Sequence, residues 1–274
     1  MRDAVLPIGV FDSGVGGLTV YRAINELLPN ESLIYLGDTA RVPYGTKSRE
    51  TVIAYARACT GVLVDQGVKL VVVACNTASA FALETLQEEL PVPVIGVVRP
   101  GAFAATVRSA TGRIGVIGTP ATISSGAYRE AIETMRPDAQ VFTQACPLFV
   151  PLAEEGWTDG EVPEAVAREY LANLRAHEVD TLVLGCTHYP MLSATIAHVM
   201  GPGVCLVDSA EETARVVRDT LEAMDLVCDD TGAPHLFLAS DSPENFQKVG
   251  GRFLGRDINP VQWIDLGVCP KIPS

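Results

Sequence analysis

Cys75 and Cys186 occupy matching places in this sequence. Each follows a short apolar, largely β-branched run (residues 70–74 and 181–185), and each precedes polar residues of the kind that open helices: Asn76 and Thr77 in the first case, Thr187 and His188 in the second. Such runs read as strands buried on both faces of a parallel sheet. In open parallel α/β sheets, ligands bind beyond the carboxyl ends of the strands, so each thiol lies where chemistry is done. The free N–H groups and positive dipole end of a following helix favour thiolate near neutrality and can hold a substrate carboxylate. Two thiols aimed at one ligand suggest a two-sided proton transfer. One takes a proton from one face of an acidic carbon while the other delivers a proton to the opposite face, each sulfur roughly 3–3.5 Å from that carbon.

Asp12, at a strand end beside the turn Ser13-Gly-Val-Gly-Gly17, and His188, two residues past Cys186, are the candidate helpers for the two thiols. Positioned acid–base groups contribute roughly 10²–10⁴-fold to a rate. The competing role for Asp12 is a helix N-cap, and for His188 a surface cap. Buried cysteine is more often an inert small hydrophobe, and that reading is preferred for Cys59, on an apolar helix face, and for Cys205, inside a strand. Cys146, Cys228 and Cys269 fall in loops with no helix start behind them and receive no role.

Other chemistries fit less well. Gly14-Val-Gly16 has the first half of a dinucleotide fingerprint, but Thr19 stands at the third glycine position, no Gly-Lys-Ser/Thr follows, and Asp12 would repel phosphate. The glycines instead let a small anionic ligand approach the backbone. Neither cysteine is followed by the arginine that a phosphatase loop needs. A zinc site from Cys75, Cys186 and His188 has suitable ligand types but no recognisable spacing. None of the lysines, Lys47, Lys69, Lys248 and Lys271, has surroundings that suggest a Schiff base. The expectation is therefore no metal and no cofactor.

The elements that must position these groups alternate along the chain. A first strand spans 8–11 and is followed by a helix over 17–28, a strand over 33–36 and a polar loop over 37–46. Ser48 caps a helix ending at Gly67, and after the Cys75 strand comes a helix stopped by Pro91 and a strand over 94–97. Pro100-Gly101 breaks the pattern, and residues 113–117 start it afresh. Thr119-Pro120 opens a helix to about Met135. A strand at 141–143, a Pro-rich loop over 146–151 and a helix ending near His177 precede the Cys186 strand. A helix over 191–200, a strand over 205–208 and a helix capped by Ser209 and Glu212 follow. The last fifty residues read as a linker around Cys228, a strand over 235–239, a helix after Ser242 and an edge strand near 261–266.

This layout predicts an α/β fold of two similar doubly wound domains, with mainly parallel sheets and the active site in the cleft between them. The expected domains are residues 1–98 plus 209–274 and residues 99–208. Of 274 residues, 33 are acidic and 20 basic, a net charge of -13, which disfavours nucleic acid and anionic membrane surfaces. No signal-type h-region stands behind Arg2, where strand-like residues begin almost at once, and the nearly uncharged run 70–83 is too short to span a bilayer, so the expected location is the cytoplasm. Seven scattered cysteines without C-x-x-C pairs argue against a disulfide framework.

Taken together, residues 9–17 (Gly-Val-Phe-Asp-Ser-Gly-Val-Gly-Gly), 38–45 (Asp-Thr-Ala-Arg-Val-Pro-Tyr-Gly), 74–78 (Ala-Cys-Asn-Thr-Ala), 146–152 (Cys-Pro-Leu-Phe-Val-Pro-Leu) and 185–190 (Gly-Cys-Thr-His-Tyr-Pro) resemble the glutamate racemases of the cofactor-independent aspartate/glutamate racemase superfamily. The resemblance covers nearly the whole chain. It implies Cys75 and Cys186 as acid/base thiols assisted by Asp12 and His188, and substrate contacts from Asp12, Ser13, Tyr44, Gly45, Asn76, Thr77, Thr187 and His188. Glu154, Thr119 and Thr122 match further cleft positions. The resemblance also implies a C-terminal segment that returns to the first domain, homodimers, and D-glutamate made for peptidoglycan synthesis. Arg99 stands where that family usually carries an acidic residue, a departure at the domain crossover. The alternatives are a racemase acting on aspartate or a hydantoin, or a two-domain protein that binds an anionic amino acid without turning it over. The second has no need of two strand-end cysteines.

Overall fold

Most strands here are short apolar runs bounded by turn residues, and helices connect them. In the computed structural model, which describes residues 3–229 and 234–267, the chain divides into two units: Met1–Val97 with Ala210–Ser274, and Val98–Ser209.

The first unit opens with β1 (Ile8–Asp12), α1 (Leu18–Leu27), β2 (Leu33–Gly37), a 3-10 turn (Tyr44–Thr46), α2 (Arg49–Asp65), β3 (Leu70–Val73), α3 (Asn76–Glu89) and β4 (Val94–Gly96). Every residue of β1 to β4 is buried, as expected for strands covered on both faces. Ser48 caps α2 by accepting the Thr51 N–H at 3.3 Å.

The second unit comprises α4 (Val98–Arg108), β5 (Arg113–Gly118), α5 (Pro120–Ser124), α6 (Ala127–Met135), β6 (Gln140–Ala145), α7 (Phe149–Glu155), α8 (Glu161–Ala176), β7 (Thr181–Gly185), a 3-10 turn (Tyr189–Leu192), α9 (Ser193–Met200) and β8 (Cys205–Val207). The chain then returns to the first unit through α10 (Ala210–Ala223), β9 (Leu236–Ala239), α11 (Pro243–Leu254) and β10 (Val261–Trp263).

Among the described residues the first unit's sheet has six strands in the order β10-β9-β2-β1-β3-β4, and the second unit's sheet has four in the order β6-β5-β7-β8. All pairings in both are parallel. Each sheet is doubly wound. From β1 the chain winds one way to β2 and then crosses to β3 on the other side; from β5 it winds to β6 and crosses to β7. The strand order therefore reverses between β1 and β3 in one unit and between β5 and β7 in the other, and ligands bind at such reversals.

Several local expectations are corrected. Pro100-Gly101 does not interrupt structure but lies in the first turn of α4, where proline's missing N–H has no partner to lose. Pro151 sits likewise at the third position of α7, so the expected Pro-rich loop over 146–151 is half helix. The single helix expected over 119–135 is two, separated by Gly126 at φ +73°. Cys205, expected inside a buried strand, lies on β8 at the sheet edge and is exposed. Cys59 and Cys228 are buried, and Cys269 lies outside the described residues.

Candidate active site

In the first unit, Asp12 ends β1 and Cys75 follows β3. These strands are neighbours, with Phe11 in register with Val73 and the Ala74 N–H donating to the Phe11 carbonyl at 2.8 Å. Asp12 and Cys75 thus emerge side by side at the reversal of strand order. Asp12 is fully buried and does not cap α1, whose N-cap position is Gly17. Its Oδ2 instead accepts the Gly14 N–H at 2.9 Å, closing the turn that carries Ser13. Ser13 Oγ lies 3.6 Å from Cys75 Sγ. Cys75 occupies the N-cap position of α3, so Asn76 and Thr77, both buried, are the first two residues of that helix. Their backbone N–H groups lie at the positive end of that helix's dipole.

The glycines around this turn serve the protein's own packing. A Cβ at Gly17 would sit 2.5 Å from Asp12 Cβ and 2.9 Å from Ala74 Cβ, and one at Gly37 would sit 2.4 Å from the Gly14 carbonyl oxygen. Both distances are shorter than side chains tolerate, so only glycine lets α1 and β2 approach Asp12 and Gly14 this closely. The Gly14 carbonyl in turn accepts the Tyr35 hydroxyl at 2.9 Å. Burial, reinforced by the nearby Asp12 and Cys75, pushes the Tyr35 phenol well above its ordinary range, so it remains a donor. Tyr35 escaped the sequence reading, although a tyrosine in a strand buried on both faces needs a partner for its hydroxyl.

Tyr44 and Gly45 form the 3-10 turn after β2 and are buried. The Tyr44 hydroxyl makes a short hydrogen bond to Asp38 Oδ2 and lies 4.0 Å from Cys59 Sγ, so the phenol points into the core. The ring is an anchor for its turn.

The second unit repeats the arrangement with different chemistry. Cys186 follows β7, and Gly118 at the end of β5 is in register with Gly185. Thr119 caps α5 by accepting the Thr122 N–H at 3.2 Å, and the two hydroxyls are 3.0 Å apart. Thr187 is buried beside Cys186. The expectation that Cys186 leads straight into a helix N-terminus is corrected: Thr187 and His188 turn, Tyr189–Leu192 is 3-10, and α9 begins only at Ser193. Pro190, within this turn, has no N–H to give.

What stands next to Cys186 is a side chain. His188 is buried, not a surface cap, with Nδ1 3.8 Å from Cys186 Sγ and Nε2 3.0 Å from Glu154 Oε1. Burial alone would lower the histidine pKa. Hydrogen bonds to Cys186 and Glu154, with the negative charge both can carry, reverse that and raise it to about 10, so the ring is an imidazolium at neutral pH. Glu154, in the last turn of α7, is 41% exposed along its side chain. Cys146 is fully buried, and its thiol pKa is pushed up, first by burial and then by Cys186. Its carbonyl accepts the Tyr189 hydroxyl at 2.8 Å, tying the residues after β6 to the turn after Cys186.

A parallel α/β sheet with a thiol at its reversal point, met twice in one chain, defines the class as a two-unit α/β protein with paired strand-end cysteines. The model of the Asp/Glu/Hydantoin racemase family matches residues 8–217, and the chain belongs to that family. It is 56% identical over 261 residues to a glutamate racemase of Geobacter metallireducens, covering 94% of this chain and 96% of that one. Among solved structures it is similar to glutamate racemase from Francisella tularensis in complex with D-glutamate, at 39% identity and a TM-score of 0.91, covering 96% of this chain and 98% of the other. It is similar also to glutamate racemase isoform RacE1 from Bacillus anthracis, at 40% identity and a TM-score of 0.92, covering 95% and 98%. No helix among the described residues is long and apolar enough to cross a membrane.

Proposed function

We propose that this protein is a glutamate racemase that interconverts L- and D-glutamate without a cofactor, using Cys75 and Cys186 as the two acid–base groups. The observation that carries the proposal is the repeated placement of a thiol at the strand-order reversal of each sheet, beside a polar side chain. In one direction a thiolate removes the proton from Cα, forming an S–H bond as the C–H bond breaks and leaving the electron pair on the substrate. The opposite thiol then gives its proton to the other face. The reverse direction exchanges these roles, and each turnover inverts which sulfur carries the proton.

Asp12 serves the Cys75 side and His188 the Cys186 side. The first-turn N–H groups of α3, at Asn76 and Thr77, suit a carboxylate, and Ser13, Tyr44, Gly45 and Thr187 complete the contacts with Asp12 and His188. Because the Tyr44 hydroxyl is committed to Asp38, Tyr44 meets substrate through its backbone or ring edge. The two half-sites act on one substrate molecule, each from its own domain, residues 1–98 with 209–274 and residues 99–208. The protein works as a homodimer in the cytoplasm, and its D-glutamate supplies peptidoglycan synthesis.

The test is proton NMR of the dialysed, reduced protein with L-glutamate in D₂O, beside optical rotation. Loss of the Cα–H signal with matching decay of rotation is expected. Folded protein that exchanges neither enantiomer of glutamate overturns the proposal, and exchange of aspartate in its place would reassign the substrate.

A further inference from the structure

Asp38 opens the loop that carries Tyr44 and Gly45, and its carboxylate is fully buried. Three donors converge on it. Arg41 Nε at 2.7 Å and the Tyr44 hydroxyl reach Oδ2, and both come from the loop itself. The third is Ser240 Oγ, 2.9 Å from Oδ1, which comes from about two hundred residues further along the chain.

Every polar group of Ser240 is engaged. Its N–H donates to the Gly37 carbonyl at 3.1 Å, extending the β2–β9 pairing by one residue. Its hydroxyl donates to Asp38 and accepts the Ala40 N–H at 2.9 Å. Its carbonyl accepts Trp263 Nε1, from β10, at 3.1 Å. Next to it, Thr39 and Asp241 bond reciprocally: Thr39 Oγ1 donates to the Asp241 carbonyl at 2.6 Å and accepts the Asp241 N–H at 2.8 Å. Residues 38–40 are therefore held by side-chain bonds to residues 240–241, while Asp38 relays that restraint to Arg41 and Tyr44.

We propose that Ser240, brought in by the returning C-terminal segment, is a positioning residue: acting through Asp38, it fixes the loop from which Tyr44 and Gly45 meet the substrate. This rests on the reading of the protein as a glutamate racemase. The C-terminal strands β9 and β10 thus do more than widen the sheet, because they set the shape of a substrate loop encoded near the N-terminus. Removing the hydroxyl leaves the Asp38 oxygen and the Ala40 N–H without their partner, which loosens the loop before substrate binds. Ordering it then draws on binding energy, so the loss appears in KM more than in kcat.

The experiment compares wild type with Ser240→Ala, Ser240→Thr and Thr39→Val by steady-state racemisation in both directions and by hydrogen exchange of the segment 38–46. For Ser240→Ala, KM for glutamate is expected to rise about five- to tenfold with kcat nearly unchanged, the size of one or two lost hydrogen bonds. Amide exchange across 38–46 should be faster. Ser240→Thr, which keeps the hydroxyl, should restore both, and Thr39→Val should show a smaller effect of the same kind should Ser240→Ala fail to fold. A Ser240→Ala protein with wild-type KM and wild-type exchange overturns the proposal. So does equal impairment of the alanine and threonine variants with a fall in kcat and melting temperature, which would mark a merely structural residue. Wild-type protein that turns over no glutamate overturns instead the functional reading, and the exchange comparison still decides whether Ser240 holds the loop.

Discussion

Cys186 Sγ and His188 Nδ1 lie 3.8 Å apart, whereas Cys75 has a serine hydroxyl at 3.6 Å. The two thiols thus hold equivalent topological positions in chemically different surroundings. His188 is held as an imidazolium, with its pKa raised to about 10, and Glu154 supports that charge from the far side of the ring. In Glu154→Gln one of the raising influences is gone, so the ring loses its proton at lower pH. The alkaline limb of the rate profile should move toward neutrality. The stability sign follows the same group. A folded pKa above the unfolded value of about 6.5 contributes stability fully present below 6.5 and lost as pH rises through about 10. The stability gap between wild type and Glu154→Gln should therefore shrink over that window, as followed by urea denaturation at several pH values. A gap that widens with rising pH would contradict the assignment.

Serine in place of either thiol keeps the shape but is a far weaker acid. Cys75→Ser and Cys186→Ser should each lower kcat by about 10²–10⁴-fold, the usual contribution of a positioned acid–base group. Binding of glutamate, measured by calorimetry, should change much less. Unaltered turnover in either variant would remove that sulfur from the mechanism.

Tyr35 supports the Asp12 turn without belonging to it. In Tyr35→Phe the Gly14 carbonyl loses its buried donor, at a cost of about 1–3 kcal/mol in folding stability. Because that carbonyl belongs to the turn carrying Ser13, KM should rise as well. Denaturant midpoints and steady-state kinetics read the two effects separately. A variant as stable as wild type would mean that the carbonyl finds another partner.

What was legible in the sequence was whatever local chemistry determines. The strand-end position of Cys75 follows from the apolar run before it, and the capping of α2 by Ser48 and of α5 by Thr119 follows from hydroxyls placed one residue ahead of the helices. Failures arose where one residue type supports two structures. Proline was read as a breaker at Pro100 and Pro151, yet both sit in first turns, where it is tolerated. Cys205 lies in the apolar run Val204-Cys-Leu-Val207, as a buried residue would, but β8 is a sheet edge, and edge position is a property of strand order. The tie between Asp38 and Ser240 was illegible for a related reason: nothing in a sequence of one chain says which strand will lie beside β2.

Glu31 and Lys69 form an ion pair of 2.6 Å that is almost wholly buried, between the residue two before β2 and the residue before β3. Those positions lie at the amino ends of the strands, opposite the end that carries Asp12 and Cys75. Lys69 Nζ also donates to the Ala4 carbonyl at 2.6 Å and the Leu226 carbonyl at 2.8 Å, and Glu31 Oε1 accepts the Cys228 N–H at 2.9 Å. The pair therefore gathers the N-terminal segment and the segment after α10 onto the base of the sheet. Removing one partner strands the other charge in the core, so Lys69→Met should cost about 3–5 kcal/mol. Replacing both with apolar residues removes the stranded charge but leaves the Ala4 and Leu226 carbonyls and the Cys228 N–H without these partners. The double variant Glu31→Leu/Lys69→Met should therefore recover only part of the loss. Because the pair lies at the opposite end of its sheet from Cys75, kcat measured well below the unfolding transition should stay within about twofold of wild type, in line with the independence of distant sites. Urea denaturation gives the stability terms. A double variant as stable as wild type would show that the backbone groups around the pair need no partner from it.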